Sequence, residues 1–198
     1  MVNSFLEIFT LVTGVAYIIL EIRQKNIMWV LGIITSLASM WIFFRQGLYA
    51  SFGLNVYYLA TSFVGLWQWR QDRRLLEDTA SVQENDTSIH LNRLGWPVVI
   101  SSAVITAAGI FCLSWLMERF ENPMSLLDAS VAVLSAVATW WLVRSYLEQW
   151  WLWIVANALS TVLCLSQQMW WMAVLYMAYA LSAAYGLRHW KNNGRYVA

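Results

Sequence analysis

An amide inside an apolar run makes the strongest chemical demand in this chain, because a polar group at membrane depth needs a partner or a cavity. Asn55 and Asn157 are two such amides. Steps of three and four residues set Trp150, Trp153, Asn157, Ser160 and Cys164 on one helical face. The same spacing joins Trp29, Gly32, Ser36 and Ser39, then Asn55, Tyr58 and Ser62, and then Tyr176, Tyr179 and Ala183. Such faces suit a polar solute with a flat ring. Trp153 beside Asn157, and Tyr176 with Tyr179, could wall an electron-deficient or cationic ring by stacking and cation–π contact, while the amides meet its polar edge. Each has a packing alternative. Ser36, Ser39 and Ser160 read first as helix–helix glue, and Trp29, Trp69, Trp150 and Trp151 stand at run ends, where an aromatic belt is expected. For the two amides, a polar ligand and a neighbouring helix remain equal explanations.

Two further pairs sit near run ends. Gln46 and Gln167 occupy short turns, as a gate or, the favoured reading, as helix caps. Glu7 and Asp128 would raise the local concentration of a cation at an entrance, or stabilise helix N-termini through the macrodipole. Enzyme chemistry finds little here. His90 falls in a polar stretch, His189 near the end of the last run, and no catalytic cluster, metal set or cofactor motif is present. The absence of a Gly-rich phosphate loop with Lys argues against ATP-driven transport by this chain alone. Cys112 and Cys164 lie in apolar runs and read as small buried residues.

The elements that carry these residues follow from composition. Of 198 residues, 60% are hydrophobic and 12% charged, against about 45–50% and about 25% in soluble domains. A net charge of +1 points to no nucleic-acid partner. Runs able to cross about 30 Å of hydrocarbon fall near 5–21, 27–44, 48–68, 95–117, 126–143, 150–166 and 169–187. The first has no basic n-region and reads as a span rather than a cleaved leader. Seven spans put Arg45 and Arg119 on the side of the N-terminus. Arg23, Lys25, Arg70, Arg73, Arg74, Arg93, Arg144, Arg188, Lys191 and Arg195 fall on the other. That bias sets the N-terminus outside and the C-terminus in the cytoplasm.

An offset of 121 residues superposes the first three runs on the last three without a gap. Arg23/Arg144, Trp29/Trp150, Ser39/Ser160, Gln46/Gln167, Tyr58/Tyr179, Gly65/Gly186 and Trp69/Trp190 then coincide. Shared apolarity aligns Leu and Val by chance; recurring Arg, Gln, Trp and Gly are harder to produce that way. Three spans reverse the chain's direction and one extra crossing restores it. The expected fold is therefore an all-α polytopic membrane protein: seven transmembrane helices in a 3+1+3 parallel repeat, the class that includes the SWEET sugar transporters. Residues 1–70 form the first three-helix repeat and 71–94 a cytoplasmic loop. Residues 95–123 hold the linking helix, and 124–198 the second repeat with its cytoplasmic tail. In this class substrate binds between the two triplets, near the midplane.

Gly47-Leu48-Tyr49-Ala50-Ser51 and Gly65-Leu66-Trp67-Gln68-Trp69 resemble the PnuC family of vitamin transporters. So do Asp128, Ser135, Arg144, Glu148, Trp150, Trp153, Asn157, Ser160, Gln167, Tyr176, Gly186, Arg188 and Trp190. The resemblance implies a multi-pass protein of the bacterial inner membrane, with homo-oligomers suggested. It would take up an unphosphorylated vitamin by facilitated diffusion, and a cytoplasmic kinase would trap the solute. The compact length, Phe52-Gly53-Leu54-Asn55-Val56-Tyr57-Tyr58, and Ser62 where riboside transporters often carry an amide look more like the thiamine-associated PnuT branch. Thiamine is the leading expectation and nicotinamide riboside the alternative; both carry a cationic aromatic ring. A substrate-binding subunit of an energised complex is a third reading. The expected substrate contacts are Trp153, Asn157, Asn55, Tyr58, Tyr176, Tyr179, Ser36 and Ser160, with Gln46, Gln167, Glu7 and Asp128 at the gate or entrance.

Overall fold

The computed structural model describes residues 16–45, 49–79, 89–118 and 125–197. Among them are seven helical segments: α1 over 16–22, α2 (Ile27–Arg45), α3 (Tyr49–Thr79), α4 (Trp96–Glu118), α5 (Ser125–Val143), α6 (Gln149–Ser166) and α7 (Trp170–Asn193). Two three-residue strands, β1 (Ile89–Leu91) and β2 (Gly194–Tyr196), complete the elements. The protein is an all-α polytopic membrane protein. Trp96–Leu116, Leu126–Val143 and Gln149–Ser166 each meet the length and apolarity needed to cross a bilayer. Only 6% of Trp96–Leu116 is buried by protein, and Ile100, Val104 and Phe111 lie open on α4. A helix apolar on every side and so little covered belongs in lipid or against another chain. Helix α3 has 31 residues, about 46 Å at 1.5 Å per residue. Its polar end from Arg70 onward therefore projects beyond about 30 Å of hydrocarbon.

The chain forms two compact units that meet in sequence between His90 and Leu91. In the first, α2 packs on α3; in the second, α4 packs on α5, α5 on α6 and α6 on α7. One device closes a helix in both. Gln24, Ser145 and Gln168 have φ of 48°, 55° and 60°, a left-handed position that Gly usually takes. Around Gln24, Lys25 N donates to Leu20 O (2.9 Å) and Gln24 N to Glu21 O (3.0 Å). Tyr146 N to Trp141 O (3.1 Å) and Ser145 N to Leu142 O (2.9 Å) repeat the pattern, as do Met169 N to Cys164 O (2.8 Å) and Gln168 N to Leu165 O (3.1 Å). These are Schellman caps, which pair carbonyls that a helix end would otherwise leave bare.

Just beyond the first two caps, a Trp locks each unit. The Trp29 ring lies on Gly65, so close that a β-carbon there would sit 2.5 Å from Cε2, and it meets Trp69 edge-on at 5.1 Å. Trp150 lies on Gly186 in the same way and meets Trp190 edge-on at 5.3 Å. All four indoles are buried. The expectation that Trp29, Trp69 and Trp150 serve an aromatic belt is thereby corrected: a facing glycine offers flat backbone on which each repeat seats one of them, and the other Trp closes the edge. Trp151, 58% exposed, is placed as a belt residue would be. In the second unit Trp141 Nε1 also donates to Ser102 Oγ (3.0 Å), fastening α4 to α5.

Candidate functional site

In the second unit the Trp150–Gly186 contact fixes the register of antiparallel α6 and α7. Equal rises away from it bring Trp153 level with Ala183, Asn157 with Tyr179 and Ser160 with Tyr176. Asn157 is half-buried. Its backbone carbonyl accepts from Thr161 Oγ1 (2.8 Å), and its side-chain amide finds no hydrogen-bond partner among the described residues. One turn away on the same face, the buried Trp153 Nε1 also has no partner. The Tyr176 and Tyr179 rings meet edge-on at 6.1 Å. Tyr176 also lies within electrostatic reach of Cys164 on α6 and Asp128 on α5. The second unit thus gathers Trp153, Asn157, Tyr176 and Tyr179, with Asp128, half-buried in the first turn of α5, at their outer edge. Ser160 is buried and its Oγ donates to Ala156 O (2.8 Å), a bond within its own helix.

In the first unit the equivalent register brings Gly32 against Ser62, where a β-carbon on Gly32 would lie 2.7 Å from Ser62 Oγ. Ser62 Oγ donates to Tyr58 O (2.7 Å). Ser36, buried on α2, is then level with Tyr58, whose ring lies 5.6 Å from that of Tyr57. Asn55 lies half-buried on α3, one turn before Tyr58. Sequence reasoning missed Tyr17, which comes within electrostatic reach of Tyr58 and Glu21. Its counterpart in the second repeat is Ala138, so internal comparison hid it.

The remaining expectations divide. Gln167 is the C-terminal cap of α6: its backbone N–H reaches Leu163 O, and its side chain is exposed. Gln46 and Glu7 lie outside the described residues. No group of three or more metal-type ligands occurs among the described residues. What the site offers is aromatic area, the unpartnered Trp153 N–H, two tyrosine hydroxyls, one amide and one carboxylate. It holds no nucleophile set beside a base, and that composition binds rather than cuts.

Comparison with known proteins agrees. The nicotinamide mononucleotide transporter family matches residues 4–192. The nicotinamide riboside transporter PnuC of Neisseria mucosa is 24% identical, covering 95% of this chain and 72% of that protein. PnuC of Escherichia coli is 24% identical over 97% of this chain and 87% of its own, and that of Haemophilus influenzae 22% over 95% and 80%. The crystal structure of the vitamin B3 transporter PnuC superposes with a TM-score of 0.63 at 22% identity, covering 91% of this chain and 78% of that one. At that identity the match concerns the fold.

Proposed function

This chain belongs to the nicotinamide mononucleotide transporter family, and from that membership we propose that it carries nicotinamide riboside, the unphosphorylated nucleoside, into the cell by facilitated diffusion. It is a membrane transporter and not an enzyme. None of the seven apolar runs contains Lys or Arg. A phosphate drawn into hydrocarbon needs a cationic partner, since an isolated buried charge costs far more than binding returns. The runs carry Glu7, Glu21 and Asp128 instead, and acidic groups favour a cationic solute. A pyridinium riboside has that charge, a flat ring for Trp153, Tyr176 and Tyr179, and polar edges for an amide.

The observation that carries this reading is the Asn157 amide, half-buried and unpaired among the described residues, one turn from the unpaired Trp153 indole. Paired to a ligand, both groups regain what folding withheld from them. The relatives named for nicotinamide riboside favour that solute over thiamine, the leading expectation from sequence. In this reading the chain has its N-terminus outside, and a cytoplasmic kinase traps the solute. Protein in liposomes is expected to equilibrate nicotinamide riboside without an ion gradient. Its tryptophan fluorescence is expected to be quenched saturably by the riboside and not by nicotinamide mononucleotide. Quenching by thiamine alone, or equal binding of the phosphorylated form, would reject the substrate; uptake that stops when the gradient collapses would reject facilitated diffusion.

A further inference from the structure

His90 follows the polar end of α3 and is fully buried in the first unit. Two bonds from the Gln24 side chain hold its backbone. The Gln24 side chain receives His90 N–H at Oε1 (2.7 Å) and donates from Nε2 to His90 O (2.9 Å). Gln24 can reach because its left-handed backbone, φ 48°, turns the side chain out of the α1 cap. Arg73 Nη2 donates to Gln24 O (3.2 Å), so α3 braces the same turn. The His90 imidazole meets the Trp69 ring edge-on at 5.6 Å, and Trp69 in turn backs Trp29 on Gly65. A continuous stack therefore runs from the polar segment into the α2–α3 packing.

The ring nitrogens of His90 have no hydrogen-bond partner. The charged groups around it are Asp72 and Arg73 on α3. Beyond them lie Glu21, buried in the last turn of α1, and the turn residues Arg23, exposed, and Lys25, half-buried. Asp72 Oδ2 stands 3.9 Å from Nε2, while its Oδ1 accepts from Gln68 Nε2 (2.8 Å). Attraction to that carboxylate loses to the environment as a whole. Burial first, and the Arg73 charge second, push the imidazole down to about 3 from its ordinary 6.5, so the docked ring is neutral and the Asp72 approach is no ion pair.

We propose that the segment around His90 is a releasable latch on the first repeat, held by the Gln24 clamp and opened by protonation of the His90 ring, and that its release speeds transport. Helix pairs that move during transport must shift at their ends, and this stack holds one such end. The docked state excludes a proton that the released imidazole accepts near its ordinary value. Acidification below about 6.5 therefore favours release, by up to about tenfold per pH unit for one proton. The latch rests on the transporter class alone and holds whichever small solute is carried.

Two variants separate clamp from sensor. His90→Phe keeps the main-chain bonds to Gln24 and a ring for Trp69, and removes the titration. Gln24→Gly removes the clamp and suits the left-handed backbone, so the cap survives. Hydrogen exchange of the residue 90 amide, whose hydrogen the Gln24 side chain accepts, would be followed from pH 7.5 to 5.5 after correction for intrinsic rates. Transport in liposomes would be measured with equal pH on both sides, using whichever solute quenches the wild type. Wild-type exchange should rise on acidification, the His90→Phe protein should stay slow throughout, and the Gln24→Gly protein should be fast throughout. Transport at pH 7.5 should be severalfold faster in Gln24→Gly. A wild-type pH response retained by His90→Phe overturns the sensor. Slow exchange or wild-type transport in Gln24→Gly overturns the latch.

Discussion

Gly186→Ala tests whether the Trp–Gly lock holds each repeat together. The added β-carbon would lie 2.5 Å from Cη2, 2.6 Å from Cζ3 and 2.7 Å from Cζ2 of Trp150. Carbon atoms rest at about 3.5–4.0 Å, so roughly 1 Å must be found along the face of a rigid ring. Trp150 cannot supply it by turning, because the ring is 2% exposed and Trp190 stands edge-on against it. The helices must part instead. Overpacking of this kind costs about 1–3 kcal/mol. Alanine returns about 1 kcal/mol of helix propensity. Three short contacts on one ring place the cost at the top of its range, so the net loss is about 2 kcal/mol. For a chain this size that is about 4–8 °C in Tm.

The assay is a thermal scan of detergent-solubilised protein followed by tryptophan fluorescence, at one fixed scan rate because unfolding of such proteins is often irreversible. Gly53→Ala is the internal control: nothing lies within 4 Å of its new carbon, so only the propensity gain remains and the variant should melt slightly higher. Gly65→Ala should fall as Gly186→Ala does, since Trp29 Cε2 and Cζ2 lie 2.5 Å away. Trp150→Phe, which shortens the ring where the new carbon strikes, should recover part of the Gly186→Ala loss beyond additivity. A Gly186→Ala protein that melts with or above the wild type would refute the reasoning, because the ring would then have room that the geometry denies it.

Two further outcomes follow from the side chains around the site. Asn157→Ala should weaken nicotinamide riboside binding about tenfold, the worth of one desolvated hydrogen bond, whereas Ser160→Ala, which loses only a bond within its own helix, should leave the affinity within about twofold in the same fluorescence titration. Trp150→Ala should cost about 3–5 kcal/mol as a buried aromatic truncation, while exposed Trp151→Ala should stay within about 0.5 kcal/mol, both read as Tm.

The seven runs and the duplication were legible in sequence because a bilayer forces apolar length and punishes charge, so both leave a pattern at every residue. Where tryptophan goes was not legible. Trp29 and Trp150 stand at run ends, where a belt residue and a buried lock look alike; the distinguishing signal was Gly65 and Gly186 at the same offset, across from them. The Schellman caps escaped notice because Gln24, Ser145 and Gln168 hold a place that Gly normally announces. His90 escaped notice as well: Ile89 and Leu91 flank it within a polar stretch, and Gln24, which clamps it, lies 66 residues earlier. Asn157 was legible as a polar group in an apolar run. That its amide is unpaired depends on which helix faces it, and spacing along one helix cannot contain that.

Comparing the two repeats sorts packing from chemistry. Positions that match across the offset include the packing locks, Trp29 and Trp150 on their glycines with Trp69 and Trp190 behind them, and also Tyr58 and Tyr179; Gln24 and Ser145 differ in type but share the left-handed cap. Positions that differ include Gly32 and Trp153, Ser36 and Asn157, Asn55 and Tyr176, and Tyr17 and Ala138. Burial alone does not explain the difference, since Ser36 is buried while its counterpart Asn157 is half-buried and has no side-chain partner among the described residues. Had only the fold been selected, these positions would be as free to stay duplicated as the locks are. At two of the differing pairs the second unit carries the larger side chain with a polar group, Trp153 for Gly32 and Asn157 for Ser36. Those groups lack partners among the described residues, and that is why Trp153 and Asn157, rather than Gly32 and Ser36, carry the binding assignment.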